Sequence, residues 1–264
     1  MNRIDKKFKE LKENRKKAFI AFITAGYPSL AVTEKLILEF DRIGVDIIEL
    51  GVPFSDPMAD GPVIQEASQH ALKKNTHLVD ILKLVKKVRK SVEVPIALMS
   101  YYNPIFCFGD EKFVAAAAAS GVDGVIIPDL PPEEGRGLIR SADKYKLDVI
   151  AFVSPTTSRG RIKYVASMAR GFIYYVSLTG TTGARRALAP GLLAKLKEIK
   201  RVTAKPVCAG FGVSTHEQVR QVQRAADGAI VGSAIVKNIK ENIHHKDLVS
   251  KVGIFVRALK GRNV

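Results

Sequence analysis

The sequence of 264 residues contains only two cysteines, Cys107 and Cys208, which lie far apart in the chain. Neither belongs to a CxxC or a cysteine/histidine spacing, so the sequence supports neither a disulfide framework nor a structural zinc site. We expect both to be plain thiols that are buried or half-buried.

Long apolar runs are also missing. The longest, such as residues 18–23, are far shorter than the roughly 20 residues that cross a bilayer. The first residues are charged, with no apolar signal core behind them, so we expect a cytoplasmic protein without a membrane contact. With 47% hydrophobic and 26% charged residues, the composition excludes a disordered or collagen-like chain and indicates one globular domain over residues 1–264, or at most two.

Acidic residues are scarce, with 26 Asp and Glu against 42 Lys and Arg, and the formal net charge is +16. The excess lies in residues 1–17, 73–90 and 236–264, which all have the pattern of amphipathic helices. No RNA-binding, helix-turn-helix or zinc-finger pattern accompanies the charge. The three segments therefore predict solvated outer helix faces, and we expect no nucleic-acid partner.

Short, β-rich apolar runs recur at regular intervals, and each is followed by a longer segment with helical periodicity. One such helical segment is 33–43, with Leu36, Ile37 and Phe40 on its inward face. The eight β-rich runs are residues 18–24, 46–50, 95–100, 124–128, 148–153, 171–177, 205–209 and 227–231.

Eight strands that alternate with helices in about 260 residues predict an α/β fold, a (β/α)8 TIM barrel in a single domain with an extra N-terminal helix. A doubly wound sheet would show fewer strands and a GxGxxG motif after the first strand, which is absent. Asp46, Asp123 and Asp227 each follow a pair of small or apolar residues just before a strand. We expect these aspartates at the lower face of the barrel, and the chemistry at the opposite face.

Glu49 lies near the end of the second predicted strand, among Ile47, Ile48 and Leu50. A carboxylate in such surroundings is costly to keep charged unless it is paired or used. Taken alone, a structural and a catalytic role are equally open for it. The next loop adds Asp56 and Asp60, and one of these is a candidate cap for a helix that begins at residue 62.

Three glycine-rich loops follow the last three strands, at residues 178–184, 209–214 and 232–234. In a barrel of this kind such loops converge where a phosphate group is held by backbone amides at a helix start. We expect Ser233 to cap a helix that begins near Ala234 and to donate its hydroxyl to the same phosphate.

Six motifs stand in order along the chain, at residues 22–28, 49–62, 102–104, 127–131, 182–185 and 210–214. With these motifs the sequence resembles the tryptophan synthase alpha chain family over essentially the whole chain. The stretch 49–62 is the most specific, because other phosphate-binding barrels share the glycine loops and lack this acidic loop.

The resemblance implies retro-aldol cleavage of indole-3-glycerol phosphate to indole and D-glyceraldehyde 3-phosphate, without a cofactor or a metal. It implies that Glu49 is the general acid and base and that Asp60 accepts the indole N–H. Matching positions also imply substrate contacts. These are Phe22, Met99 and Tyr174 around the indole and propanol part, Thr182 on a mobile loop that closes over Asp60, and Gly183, Phe211, Gly212, Gly232 and Ser233 around the phosphate.

The family's partner is a beta chain that carries pyridoxal phosphate and receives indole through a tunnel, so the resemblance implies an alpha2beta2 heterotetramer. The loop 53–60 and the segment around Asn103 match the family's contact surface, and we expect the basic helices to stay outside it. The chain departs from the family at Thr181, where a branched apolar residue is usual, and in the basic pair Arg185 and Arg186. These departures affect how tightly the mobile loop that carries Thr182 closes over Asp60.

Three other interpretations stay open at this stage. A stand-alone indole-releasing lyase would have nearly the same sequence. Another phosphate-binding barrel enzyme would share the glycine loops, but it gives no account of the pair Glu49 and Asp60. A non-enzymatic basic scaffold would not need to keep either feature.

Overall fold

The computed structural model describes residues 2–176, 191–210 and 212–261. Within these ranges, eight parallel strands close into one barrel in chain order, with β1 hydrogen-bonded to β8. This confirms the predicted barrel. The strands are β1 (Ala18–Thr24), β2 (Ile47–Gly51), β3 (Ile96–Met99), β4 (Gly124–Ile126), β5 (Asp148–Val153), β6 (Ile173–Val176), β7 (Val207–Gly210) and β8 (Gly228–Val231).

Helices surround the strands, and one helix precedes β1 as predicted. Over the described residues they are α1 (Arg3–Glu13), α2 (Leu30–Arg42), α3 (Pro62–Lys73), α4 (Leu78–Val88), α5 (Tyr102–Phe108), α6 (Asp110–Ser120), α7 (Arg136–Tyr145), α8 (Arg159–Met168), α9 (Leu192–Val202), α10 (His216–Ala225), α11 (Ser233–Glu241) and α12 (Leu248–Lys260). No helix in the described ranges is both long enough and apolar enough to span a bilayer.

The predicted boundaries hold for β1 and β5 and shift by one or two residues in the other strands. The predicted strands begin at Pro95 and end at Pro128, but in the structure β3 begins after Pro95 and β4 ends before Pro128. Proline lacks the amide that a strand ladder uses, so it stands at the edge of the hydrogen-bonded run. Ser177, the predicted end of the sixth strand, lies outside the described residues.

The three basic segments form α1, α4 and α12 with their flanks. Helix α4 buries Leu82, Val85 and Val88 and exposes Lys83 and Lys86. The predicted amphipathic arrangement is therefore confirmed for this helix, with its lysines in solvent. The thiol of Cys208 is buried as expected, but Cys107 is exposed, so that prediction is wrong for Cys107. Helix α5 turns Cys107 outward, an orientation that spacing alone does not fix.

The lower end of the barrel is closed by α1. Its apolar face, formed by Ile4, Phe8 and Leu11, is buried in the barrel interior, where the ring of Phe8 lies 5.7 Å from that of Phe172. Burial of each such side chain contributes about 1.5–3 kcal/mol. The extra N-terminal helix is thus the floor of the barrel.

The recurring aspartates at this end have a common structural task. The carboxylates of Asp46, Asp123 and Asp227 each accept a hydrogen bond from the first amides of the preceding strand, β1, β3 or β7, at 2.8, 2.9 and 3.0 Å. Asp123 also forms a buried ion pair with Arg89 at 2.6 Å. These bonds fix the strand starts and confirm the predicted lower-face position.

Asp148 opens β5 at the same level but differs from the other three. It is buried, and its Oδ2 atom has no hydrogen-bond partner among the described residues. Burial, with a smaller contribution from the charge of Asp5, raises the pKa of Asp148 to about 7.

We expect Asp148→Asn to stabilise the protein at alkaline pH. An unfolded aspartate has a pKa near 4, so the folded state binds the proton more tightly and wild-type stability falls as the pH rises from about 4 to about 7. Asparagine has no such proton, so above pH 7 the variant should gain about 1–3 kcal/mol in the free energy of unfolding. Urea unfolding at several pH values measures this.

Asp227→Asn is the matched control, with the opposite sign. Burial raises the pKa of Asp227, but hydrogen bonds from Lys200, from the Val207 amide and from Lys17 outweigh it and hold the pKa below its usual range. Its charged form therefore stabilises the fold above about pH 4, and the variant should lose stability there. If the free energy of unfolding of both variants changed with pH in the same way, the opposite pKa shifts assigned to Asp148 and Asp227 would be contradicted.

Candidate active site

The upper end of the barrel opens into a cavity of about 750 Å³. Its volume lies in the range of small-molecule sites. Every predicted site residue that the structure describes lines this cavity, namely Phe22, Glu49, Asp60, Met99, Tyr174, Gly212, Gly232 and Ser233. The predicted residues Thr182, Gly183 and Phe211, together with Thr181, Arg185 and Arg186, lie outside the described residues.

Glu49 projects into the barrel interior from the middle of β2. Strand alternation places Ile47 and Glu49 inward, while Ile48 and Leu50 face the helices. The Glu49 side chain is 1% exposed, and neither carboxyl oxygen has a hydrogen-bond partner in the described part of the chain. Burial, and then the nearby charge of Asp60, raises the pKa of Glu49 to about 8. The group therefore holds a proton at neutral pH.

Asp60 reaches the same cavity from the loop between β2 and α3. Burial raises its pKa to about 6, against a hydrogen bond from the Tyr101 hydroxyl that favours the charged form. Asp60 is thus mostly ionised at neutral pH. Different surroundings thus hold the two carboxyl groups in different protonation states.

The expectation that Asp56 or Asp60 caps a helix is wrong. Helix α3 has Gly61 as its N-cap and Pro62 at its first position, and no side chain caps it. The backbone carbonyl of Asp60 instead accepts a hydrogen bond from the Gln65 side chain at 2.9 Å. The amides at the start of α3 therefore make no capping hydrogen bond to the Asp60 carboxylate.

Apolar side chains from three strands line the cavity wall. Phe22 comes from β1, Met99 from β3 and Tyr174 from β6. Sequence reasoning missed Phe152 on β5, whose ring lies 4.8 Å from that of Tyr174. Alternation from the interior residue Ile150 would have placed it on the same face. The wall suits a planar apolar group.

Glycines at the ends of β7 and β8 line the cavity next to Tyr174 and Phe22. A side chain at Gly210 would place its Cβ 2.9 Å from the Tyr174 hydroxyl oxygen and from Ile230. Gly212 has a φ of +62°, a left-handed conformation that glycine adopts at little cost. Both glycines thus keep the backbone open to the cavity.

Helix α11 begins at this glycine side. Gly232 is its N-cap and Ser233 its first residue, with no side-chain capping bond, so the prediction that Ser233 is the cap is wrong. A helix start carries unpaired amides and a partial positive charge, which favour an anion. The Ser233 hydroxyl lines the cavity and is not used to cap its own helix.

Comparison with known proteins agrees with this geometry. Residues 8–262 match the family model described as "Tryptophan synthase alpha chain". The chain is 51% identical to the tryptophan synthase alpha chain of Citrifermentans bemidjiense over 260 residues, which covers 98% of this chain and 97% of that protein. The corresponding protein of Geobacter sulfurreducens is also 51% identical, with 98% of each chain covered.

Solved structures show the same similarity. The tryptophan synthase subunit alpha of Legionella pneumophila superimposes with a TM-score of 0.91 at 41% identity, covering 98% of this chain and 97% of that one. A chain in the aminoacrylate-bound tryptophan synthase of M. tuberculosis superimposes with a TM-score of 0.87 at 29% identity, with 98% of each chain covered.

We expect the Glu49 carboxyl to titrate near pH 8, far above an ordinary glutamate. The difference infrared spectrum between wild type and Glu49→Gln should show the carbonyl band of a protonated carboxyl at pH 7, and the band should disappear as the pH passes about 8. In an Asp60→Asn background the midpoint should fall, because the charge that raises the Glu49 pKa is gone. A Glu49 band already absent at pH 6 would contradict the assignment.

Proposed function

Since the chain belongs to the tryptophan synthase alpha chain family, which cleaves indole-3-glycerol phosphate, we propose that Glu49 and Asp60 divide the chemistry of that cleavage between them. The enzyme is a lyase of tryptophan biosynthesis that catalyses the alpha reaction, and its family needs no cofactor. The observation that carries the proposal is a protonated Glu49 and an ionised Asp60 lining one cavity.

The cleavage breaks the bond between indole C3 and the first carbon of the glycerol chain. A proton must reach C3, which puts positive charge on the ring nitrogen. A second proton must leave the hydroxyl on that same first carbon, which becomes the aldehyde as the bonding electron pair returns to the ring. The products are indole and D-glyceraldehyde 3-phosphate.

Glu49 can serve both proton transfers in turn. Its pKa of about 8 means that it carries a proton at neutral pH and can donate it to C3. The resulting carboxylate then accepts the hydroxyl proton, so Glu49 ends as it began. Asp60, with the lower pKa of about 6, stays charged, accepts the indole N–H and stabilises the cationic ring.

The rest of the cavity is proposed to hold the two ends of the substrate. Phe22, Met99 and Tyr174 contact the indole and propanol part, which is supported by their apolar wall. Gly212, Gly232 and Ser233 hold the phosphate at the start of α11, where helix amides favour a dianion. We assign Gly183 and Phe211 to the same phosphate contacts and Thr182 to the loop that closes over Asp60, on sequence grounds alone.

We also propose that the chain works with a beta chain that carries pyridoxal phosphate, in an alpha2beta2 heterotetramer in the cytoplasm. Two segments near the cavity support a contact surface. The loop 53–60 presents Met58, which is 82% exposed, and the segment that follows Asn103 presents Phe106, which is 65% exposed. Apolar side chains of this size in solvent are typical of a surface that a partner covers.

Glu49→Gln should nearly abolish indole release, because glutamine can neither give nor take the proton, and Asp60→Asn should lower turnover strongly. Steady-state indole release measures both. Gly212→Asp is the comparison variant, since a carboxylate beside the proposed phosphate site should act mainly on KM. Turnover of Glu49→Gln within about tenfold of wild type, or 1.4 kcal/mol in barrier, would refute the role of Glu49.

Indole release by the purified chain should be slow alone and should rise strongly when a beta chain is added. Complex formation should depend only weakly on salt, because the proposed contact segments lie apart from the basic helices. Fast release alone, unchanged by the partner, would indicate a stand-alone lyase. A steep loss of affinity with salt would show that the basic helices take part.

A further inference from the structure

Tyr101, which follows β3, is a buried tyrosine whose hydroxyl is held in one direction by the catalytic loop. It is 4% exposed, and its oxygen accepts a hydrogen bond from the Ala59 amide at 2.9 Å. The same hydroxyl is bonded to the Asp60 side chain. Because an ionised carboxylate can only accept, the Tyr101 proton lies in the bond to Asp60.

The ring of Tyr101 is fixed as firmly as its hydroxyl. Phe54, from the same loop as Asp60, stacks on it with ring centres 5.1 Å apart and planes 28° apart. On the other side, the Tyr101 backbone forms the N-cap of α5, and its carbonyl accepts a hydrogen bond from Ser100 at 2.9 Å. The hydroxyl therefore cannot turn away from Asp60 without disturbing the loop.

We propose that Tyr101 is a positioning residue for the cleavage reaction, which orients the Asp60 carboxylate toward the substrate and keeps it ionised. The inference rests on the proposed role of Asp60 and adds the group on which that role depends. Tyr101 does not act on the substrate itself.

Other titratable groups also face Asp60 in the described structure. The charge of Asp60 raises the pKa of Glu49 on β2 and of Tyr174 on β6. Glu49 is protonated at neutral pH, and burial raises the pKa of Tyr174 well above the usual range, so both are neutral there. Of the interactions resolved for Asp60, the Tyr101 hydrogen bond is the one that favours the charged carboxylate.

The consequence is a pH window for catalysis. The productive pair needs Asp60 charged and Glu49 protonated, which holds between about pH 6 and about pH 8. Loss of the Tyr101 hydrogen bond raises the pKa of Asp60, so the window narrows from its acidic side while the alkaline limit, set by Glu49, stays in place.

Tyr101→Phe removes only the hydroxyl and keeps the stacked ring. We expect kcat for indole release to fall about tenfold to a hundredfold, the range of a hydrogen bond to a charged group, with KM little changed. The acidic limb of the kcat profile should move up by at least about half a pH unit. Circular dichroism and the melting temperature check that the variant is folded.

Tyr102→Phe is the matched control, because it removes the hydroxyl of the next residue, which bonds to Asp110 at 3.2 Å and not to Asp60. It should change neither kcat nor the acidic limb. In an Asp60→Asn background, Tyr101→Phe should have no further effect, since it acts through Asp60.

The outcomes separate this inference from the proposed function. A folded Tyr101→Phe enzyme with an unmoved acidic limb, while Asp60→Asn loses its turnover, would overturn the inference and leave the role of Asp60 intact. An equal loss from Tyr101→Phe in the wild-type and Asp60→Asn backgrounds would also overturn it. Wild-type turnover in Asp60→Asn would refute the proposed role of Asp60 and the inference together.

Discussion

The constraint on which the site depends is the cost of a second charge inside an apolar barrel. Glu49 and Asp60 line one cavity, where burial raises the free energy of charging both groups and the charge of Asp60 raises it further for Glu49. Such a pair resolves by holding one proton on the member with no partners. Glu49 has no hydrogen-bond partner among the described residues, while Asp60 has the Tyr101 hydroxyl, so the charge is placed on Asp60. An acid and an anion thus arise from two ordinary carboxyl groups.

The two ends of the barrel use acidic residues in opposite ways. At the lower end, Asp46, Asp123 and Asp227 are each bonded to the amide of a neighbouring strand, and α1 fills the opening. At the upper end, glycines and the start of α11 leave backbone groups facing a cavity. Satisfied carboxylates fix the strands, and carboxyl groups without backbone partners remain for chemistry, which agrees with the usual division of this fold.

The features that the sequence predicted best are those that depend on residues close together in the chain. The bounds of β1 and β5 follow from short, β-rich apolar runs that are local in the sequence. The capping predictions for Asp60 and Ser233 were wrong because a cap is selected by backbone angles: Gly61 has an extended conformation with ψ 172°, and Gly232 has φ −119° and ψ −81°. Glycine can adopt the backbone angles of an N-cap although it has no side chain to cap the helix. The types of the neighbouring residues, Asp60 and Ser233, do not show that a glycine takes this position.

The partners of Asp60 could not be predicted from spacing. Tyr101 is 41 positions from Asp60 in the sequence, and only closure of β2 against β3 brings its hydroxyl to the catalytic loop. Phe152 differs in this respect, since alternation from Ile150 on β5 is enough to place it on the interior face. Contacts between strands are set by the register of the barrel, and a single sequence does not contain that register.

The net charge of +16 does not explain how an anionic substrate is held. In the described part of the cavity lining, the ionisable acids and bases are Glu49, Asp60, Asp129 and Arg161, and Arg161 is already paired with Glu133. A phosphate dianion therefore meets a net negative lining, and the lining would be more negative if Glu49 were charged. Protonation of Glu49 removes one of these charges, so the proton that the cleavage needs also lowers the electrostatic cost of binding the substrate. The burial that raises the Glu49 pKa thereby serves both substrate recognition and chemistry. The phosphate is attracted by the amides at the start of α11, and not by the lysines on the outer helices.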